Sequence, residues 1–147
     1  MRLLLPDDQM LREAAKDVCS EMRMLRRSWD NHRDDASAWT GWFIHTRNLM
    51  RFFHGVEDKH TDVLARHYFC PPGDWDFIRE QCGKPPDFDQ YEQACHTLAA
   101  HLSYRRTEYR TGIGVPPSEA IQAHLVVLAT AFLFKLPPER QPWFWAD

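Results

Sequence analysis

The stretch His45-Thr46-Arg47-Asn48-Leu49-Met50-Arg51-Phe52-Phe53-His54 holds the residues best suited to chemistry. Imidazoles move protons near neutral pH, and a guanidinium is a permanent cation whose fork of donors matches phosphate. Seven helical residues turn through about 700°, so Arg47 and His54 share one face to within roughly 20°, with Arg51 between them. Such a stripe could bind a phosphodiester, stabilise its transition state and shuttle a proton. Further on, His101-Leu102-Ser103-Tyr104-Arg105-Arg106 places His101 and Arg105 one helical turn apart. Each histidine also has a structural reading. His45 falls in phase with Trp42 and Leu49, which suits a hydrogen-bonded core histidine. His54 stands beside Gly55, where a protonated imidazole would suit the negative end of the helix dipole. His101 is in phase with Ala94 and Leu98 and could equally be architectural.

Other chemistries find less support. Glu57, Asp58 and Asp62 could approach a divalent cation, but loop acids beside Lys59-His60 read as solvated charge. Cys19, Cys70, Cys82 and Cys95 are widely spaced and contain no C-x-x-C pair, so they read as reduced thiols in small core positions. A zinc site built from Cys70, Cys82, Cys95 and His96 matches no paired-ligand spacing. There is no phosphate loop, G-x-S-x-G elbow, H-E-x-x-H pair or calcium loop. Thr111-Gly112-Ile113-Gly114-Val115 has two glycines but no phosphate-loop lysine, and reads as a turn. Neither a metal nor an organic cofactor is expected.

The elements that must position these groups read as helices. Leu11, Ala15, Val18, Cys19, Met22, Leu25 and Trp29 recur at three and four residues, which predicts a helix from about Asp7, as cap, to Trp29. Asn31 to Asp35 form the polar break after it. A second helix, from about Ser37 to Gly55, is apolar on more than one face and so is expected to be central. Between residues 56 and 86, Asp62–Phe69 and Asp74–Gln81 read as short helices closed by proline and glycine. A third long helix begins at Asp87, with Gln90 in capping-box spacing, and runs to about Arg106. The last spans about Ser118–Lys135, with Ile121, Leu125, Leu128 and Phe132 in phase. The tail Pro142-Trp143-Phe144-Trp145 is too apolar to float and is expected to dock on the bundle or on a partner. The prediction is an all-α fold, an antiparallel four-helix bundle with one or two short extra helices, forming one domain over residues 1–147.

Composition bounds the class. With 147 residues, 44% hydrophobic and 27% charged, the chain suits a globular protein, and its 6 Trp, 4 Tyr and 9 Phe predict an aromatic core or interface. A net charge of −3 argues against nucleic-acid binding by bulk attraction. Residues 55–92 are acidic, while Arg23, Arg26, Arg27 and Arg33, and later Arg105, Arg106 and Arg110, form local clusters that could grip phosphate or simply face water. No apolar run approaches the roughly 20 residues of a membrane span. The start, Met1-Arg2-Leu3-Leu4-Leu5-Pro6-Asp7-Asp8, is too short and too soon acidic for a signal peptide, so a cytoplasmic location without membrane contact is expected.

Arg47-Asn48, five intervening residues and His54 resemble the R-x4–6-H signature of the HEPN superfamily (higher eukaryotes and prokaryotes nucleotide-binding). The segment His45-Thr46-Arg47-Asn48-Leu49 with Phe52-Phe53, followed by His101-Leu102-Ser103 and Arg105, is similar to a functionally uncharacterised group of small bacterial helical proteins. The matched positions fall between Trp39 and Arg106 and cover less than half of the chain. The resemblance implies a helical bundle, commonly a homodimer, whose shared cleft cleaves RNA without a metal in a bacterial defence or toxin–antitoxin setting. A partner or antitoxin protein belongs to that setting. Arg47 would clamp phosphate, Asn48 would position the substrate or the histidine, and His54 would transfer protons; His45, Arg51, His101 and Arg105 would assist binding. In the bacterial group the position of His54 is not fixed as histidine, which leaves His45, Arg47, His101 and Arg105 as the alternative constellation. The resemblance also allows a non-catalytic interaction module that self-associates or holds a partner.

Overall fold

Asp7 starts the first helix, its carboxylate accepting from the Met10 amide at 2.8 Å. The structure, a computed structural model, describes residues 5–56, 62–100 and 116–145, with 97–100 given by backbone alone. Helix α1 (Asp8–Asn31) and α2 (Ala36–His54) are followed by a 3₁₀ turn (Ala65–Tyr68), α3 (Gly73–Cys82), α4 (Phe88–Ala100), α5 (Glu119–Lys135) and α6 (Pro142–Trp145). Among the described residues there is no strand, and the fold is all-α.

Local chemistry explains most boundaries. Asp35 caps α2 through the Ser37 amide at 2.8 Å, and Ser118 caps α5 through the Ile121 amide at 3.2 Å. Gly55 ends α2 for want of space: a Cβ there would lie 2.6 Å from the Arg51 carbonyl and 2.6 Å from the Leu64 side chain. Gly83 ends α3 with a φ of 68°, a region side chains avoid. Two expectations are corrected. The predicted helix over Asp62–Phe69 shrinks to one 3₁₀ turn, capped by the His67 imidazole accepting the Leu64 amide at 3.0 Å and followed closely by Pro71-Pro72, which cannot continue a helix. Asp87 forms no capping box either; one carboxylate oxygen accepts from the Ser118 hydroxyl at 3.3 Å, and the other is buried without a partner among the described residues. The expected course of the third long helix beyond Ala100, and the turn at 111–115, lie outside the described residues.

Helix α2 is central, packed against α1, α4, α5 and the 3₁₀ turn. Antiparallel pairing with α1 is fixed at two heights. Gly41 lies against Ser28, where a Cβ would come within 3.1 Å of the hydroxyl, and further along Glu21 reaches His45 and Asn48. The inward face of α2 presents Trp42, Phe43, Thr46, Leu49, Met50, Phe52 and Phe53, all buried. Facing it are Leu11, Ala15, Val18 and Leu25 of α1 and Ile121, Leu125, Leu128 and Phe132 of α5. Most polar atoms of the large rings in this core are paired, whereas the buried Thr46 hydroxyl has no partner among the described residues. Trp42 Nε1 donates to Gln122 at 2.8 Å, Trp75 Nε1 to the Phe53 carbonyl at 2.9 Å, and the Tyr68 hydroxyl to the Leu11 carbonyl at 2.7 Å. The tail docks on this core, as its composition predicts. Phe144 is buried 5.2 Å from both Tyr68 and Phe132, and Trp143 lies under the guanidiniums of Arg12 and Arg140.

Candidate functional site

Helix α2 sends its candidate residues in three directions. Toward α1, His45 and Asn48 converge on one carboxylate: Glu21 accepts from His45 Nδ1 at 2.6 Å and from Asn48 Nδ2 at 3.0 Å. The His45 side chain is only 16% exposed, which agrees with its reading as a hydrogen-bonded histidine at the edge of the core. Because one acid holds both, the Asn48 amide has a fixed orientation.

Toward α4, Arg47, Asn48 and Arg51 line a cleft of about 530 Å³. Met50 and Phe52 contribute apolar wall, Asp62 and Val63 come from the segment after α2, and Glu92, Cys95 and His96 come from α4. Arg51 is engaged, its Nε and Nη2 both 3.1 Å from the Asp62 carboxylate. Glu57 and Asp58, the other acids weighed for a cation, lie outside the described residues. Arg47 is exposed and makes no hydrogen bond or ion pair to a side chain among the described residues. It is therefore the cation on this wall best placed to meet an incoming anion. Cys95 lies close by: burial pushes its thiol up to about 12, opposed by the Arg47 charge. A thiol held protonated is a poor nucleophile. Among the described residues, no three His, Cys, Asp or Glu side chains converge as a metal site.

At its C-terminal end, α2 turns His54 away from water. Its Nε2 lies 3.0 Å from Nε2 of His124 on α5, one ring donating and the other accepting, and the rings stack with centroids 5.2 Å apart. Phe88 of α4 packs edge-on against both, at 4.7 and 5.8 Å. Burial first, then the facing His124 and the charges of Lys84 and Arg79, lower the His54 pKa to about 3; burial and Lys84 lower His124 as well. This corrects the expectation of a protonated imidazole at the helix terminus. The favourable dipole is outweighed by desolvation, and the ring is neutral at pH 7.

The predicted constellation is thus divided. Arg47, Asn48 and Arg51 meet at the cleft; His45 joins them indirectly through Glu21; His54 is not among the residues lining it. His101 and Arg105 lie outside the described residues. Glu21 and His124 were missed in the sequence, and His96 stood out there only as a zinc-site candidate. Glu21 and His124 each left a signal, an acid between Val18 and Leu25 and an imidazole between Ile121 and Leu128, both on otherwise apolar faces. His96 follows Glu92 by four residues beside the buried Cys95, which marks the edge of a core stripe. No family model, curated protein or solved structure matches the chain. No helix among the described residues is long and apolar enough to cross a membrane.

Proposed function

We propose that the α2–α4 cleft binds RNA through its phosphates and that the protein is a metal-independent endoribonuclease of HEPN-like type. The observation that carries this reading is Arg47, exposed at the rim of a 530 Å³ cleft beside the preoriented Asn48, with its own charge uncompensated by any described side chain. Arg47 clamps a phosphate and Asn48 hydrogen-bonds the adjoining ribose or base. The pair Arg51–Asp62, partly exposed, closes one side. On this reading α1, α2, α4 and α5 form an antiparallel four-helix bundle within a single domain. A homodimer would extend the cleft across its two-fold axis, and the setting is a cytoplasmic defence or toxin–antitoxin system with an antitoxin partner.

The test is fluorescence anisotropy of a labelled oligoribonucleotide in chelator. Wild-type protein binds, and Arg47→Ala weakens binding about tenfold or more, roughly the value of one charge-assisted phosphate contact. Equal affinity for the two proteins would remove Arg47 from the site.

A second reading, an interaction module without catalysis, is favoured by one observation. Phe134 is 77% exposed, Trp145 67% and Phe77 62%, so three large apolar side chains face solvent. A sedimentation coefficient that rises with concentration in wild type but not in Phe134→Asp would support self-association through that surface. A monomer at all concentrations would count against it.

A further inference from the structure

We propose that His96, on the α4 side of the cleft, is the proton-transfer residue of the RNA-cleaving site. This inference rests on the ribonuclease reading and names a residue which the motif resemblance does not.

His54, the histidine of the motif, is held against His124 and Phe88 and does not line the cleft. His45 has its Nδ1 committed to Glu21 and is likewise not part of the lining. Among the described residues, His96 is the imidazole that lines the same cavity as Arg47 and Asn48. It is exposed, so a ligand in the cleft can reach it. It comes from α4, whereas Arg47 comes from α2, and so a phosphate held by the guanidinium lies in a space both helices wall. Glu92 stands one helical turn before His96 and lines the cleft too, where a carboxylate favours the imidazolium as it forms. Cys95 lies between them, but its protonated thiol offers no competing base.

The step balances without metal or co-reactant. The ribose 2′-oxygen attacks the adjacent phosphorus, the O2′–P bond forming as the P–O5′ bond breaks. His96 takes the proton from the 2′-hydroxyl and returns it to the departing 5′-oxygen. Arg47 meets the extra negative charge on the phosphorane. The products are a 2′,3′-cyclic phosphate and a 5′-hydroxyl.

Full-length wild type, His96→Gln, His96→Ala and Arg47→Ala are compared on one labelled oligoribonucleotide in chelator, reading binding by anisotropy and cyclic-phosphate ends separately. His96→Gln is expected to bind within about twofold of wild type and to lose about 100-fold or more in cleavage, the usual contribution of a general acid–base. Added imidazole should restore part of the cleavage by His96→Ala, which a merely structural role would not allow. Cleavage by His96→Gln within threefold of wild type overturns the proposal while leaving the phosphate-binding reading intact. Arg47-dependent binding with no cyclic ends from wild type overturns the proposal and the cleavage it serves. Binding unaffected by Arg47→Ala overturns the underlying reading itself.

Discussion

Phe132→Ala is expected to lower the unfolding free energy by about 3–5 kcal/mol, the range for deleting a fully buried aromatic ring. Phe132 has no exposed surface and touches rings from nearly every part of the core. Phe144 is 5.2 Å away, Phe52 5.3 Å, Trp75 5.6 Å, Tyr68 5.7 Å, Phe69 5.8 Å and Phe53 6.0 Å. Most of these rings meet it edge-on, an arrangement that the aromatic quadrupole favours. Several are also tethered: Trp75 by its bond to the Phe53 carbonyl, Tyr68 by its bond to Leu11. A wall of tethered, flat side chains cannot collapse into a void, so the loss should fall toward the upper end. Phe132→Leu, which keeps most of the volume, should lose no more than about 1–2 kcal/mol. Urea unfolding followed by tryptophan fluorescence checks both. A loss below about 1 kcal/mol for the alanine variant would mean that the ring is not the hub described. The consequence reaches the cleft, because Phe132 packs α5 against Phe52 and Phe53, the two residues that follow Arg51 on α2.

Acid is expected to destabilise the fold through the His54–His124 pair. Both folded-state pKa values are lowered below the ordinary 6.5, so between about pH 6.5 and 3 the unfolded chain binds more protons than the folded one. Stability from the neutral pair is therefore fully present above pH 6.5 and is lost as pH falls toward 3. With His54 at about 3, the loss from pH 7 to pH 4.5 is roughly 2 kcal/mol. Groups facing the pair include Lys84 and Arg79, whose charges add to the cost of protonation, and Phe88, which excludes water. His54→Gln should flatten the slope of stability against pH in this window, while the contribution of carboxylates elsewhere stays. Urea midpoints from pH 4.5 to 7.5 provide the comparison. Parallel curves for wild type and His54→Gln would show that the pair does not titrate as described.

The sequence made the elements legible wherever one helix decides its own fate. Asp7 and Ser118 act as the caps their types and positions suggest, and the spacing from Leu11 to Leu25 and from Ile121 to Phe132 defines the buried faces. The doubly apolar α2 declared its central place. The extra cover of Phe144 was legible in the composition of the tail. What one helix cannot encode is the rotation of its neighbours. Arg47 and His54 do lie within a narrow sector of an ideal helix, yet α5 and the start of α4 cover one end of that sector and leave the other open. His124, the cause of the difference, stands seventy residues from His54. Glu21 bonds Asn48 across twenty-seven residues, so a side chain that looked like a free substrate ligand is a positioned one. The short 3₁₀ turn is local instead: His67 caps its start through the Leu64 amide, and Pro71-Pro72 follow closely.

The role proposed for the space between α2 and α4 is to receive phosphate-bearing RNA. Backbone amide chemical shifts of the isotope-labelled full-length protein, recorded while a short oligoribonucleotide is titrated in, test it most directly. Saturable shifts concentrated at residues 47, 48, 51, 92 and 96, and absent in Arg47→Ala, are expected. Shifts confined to the surface around Phe77 and Phe134, or none at all, would contradict it.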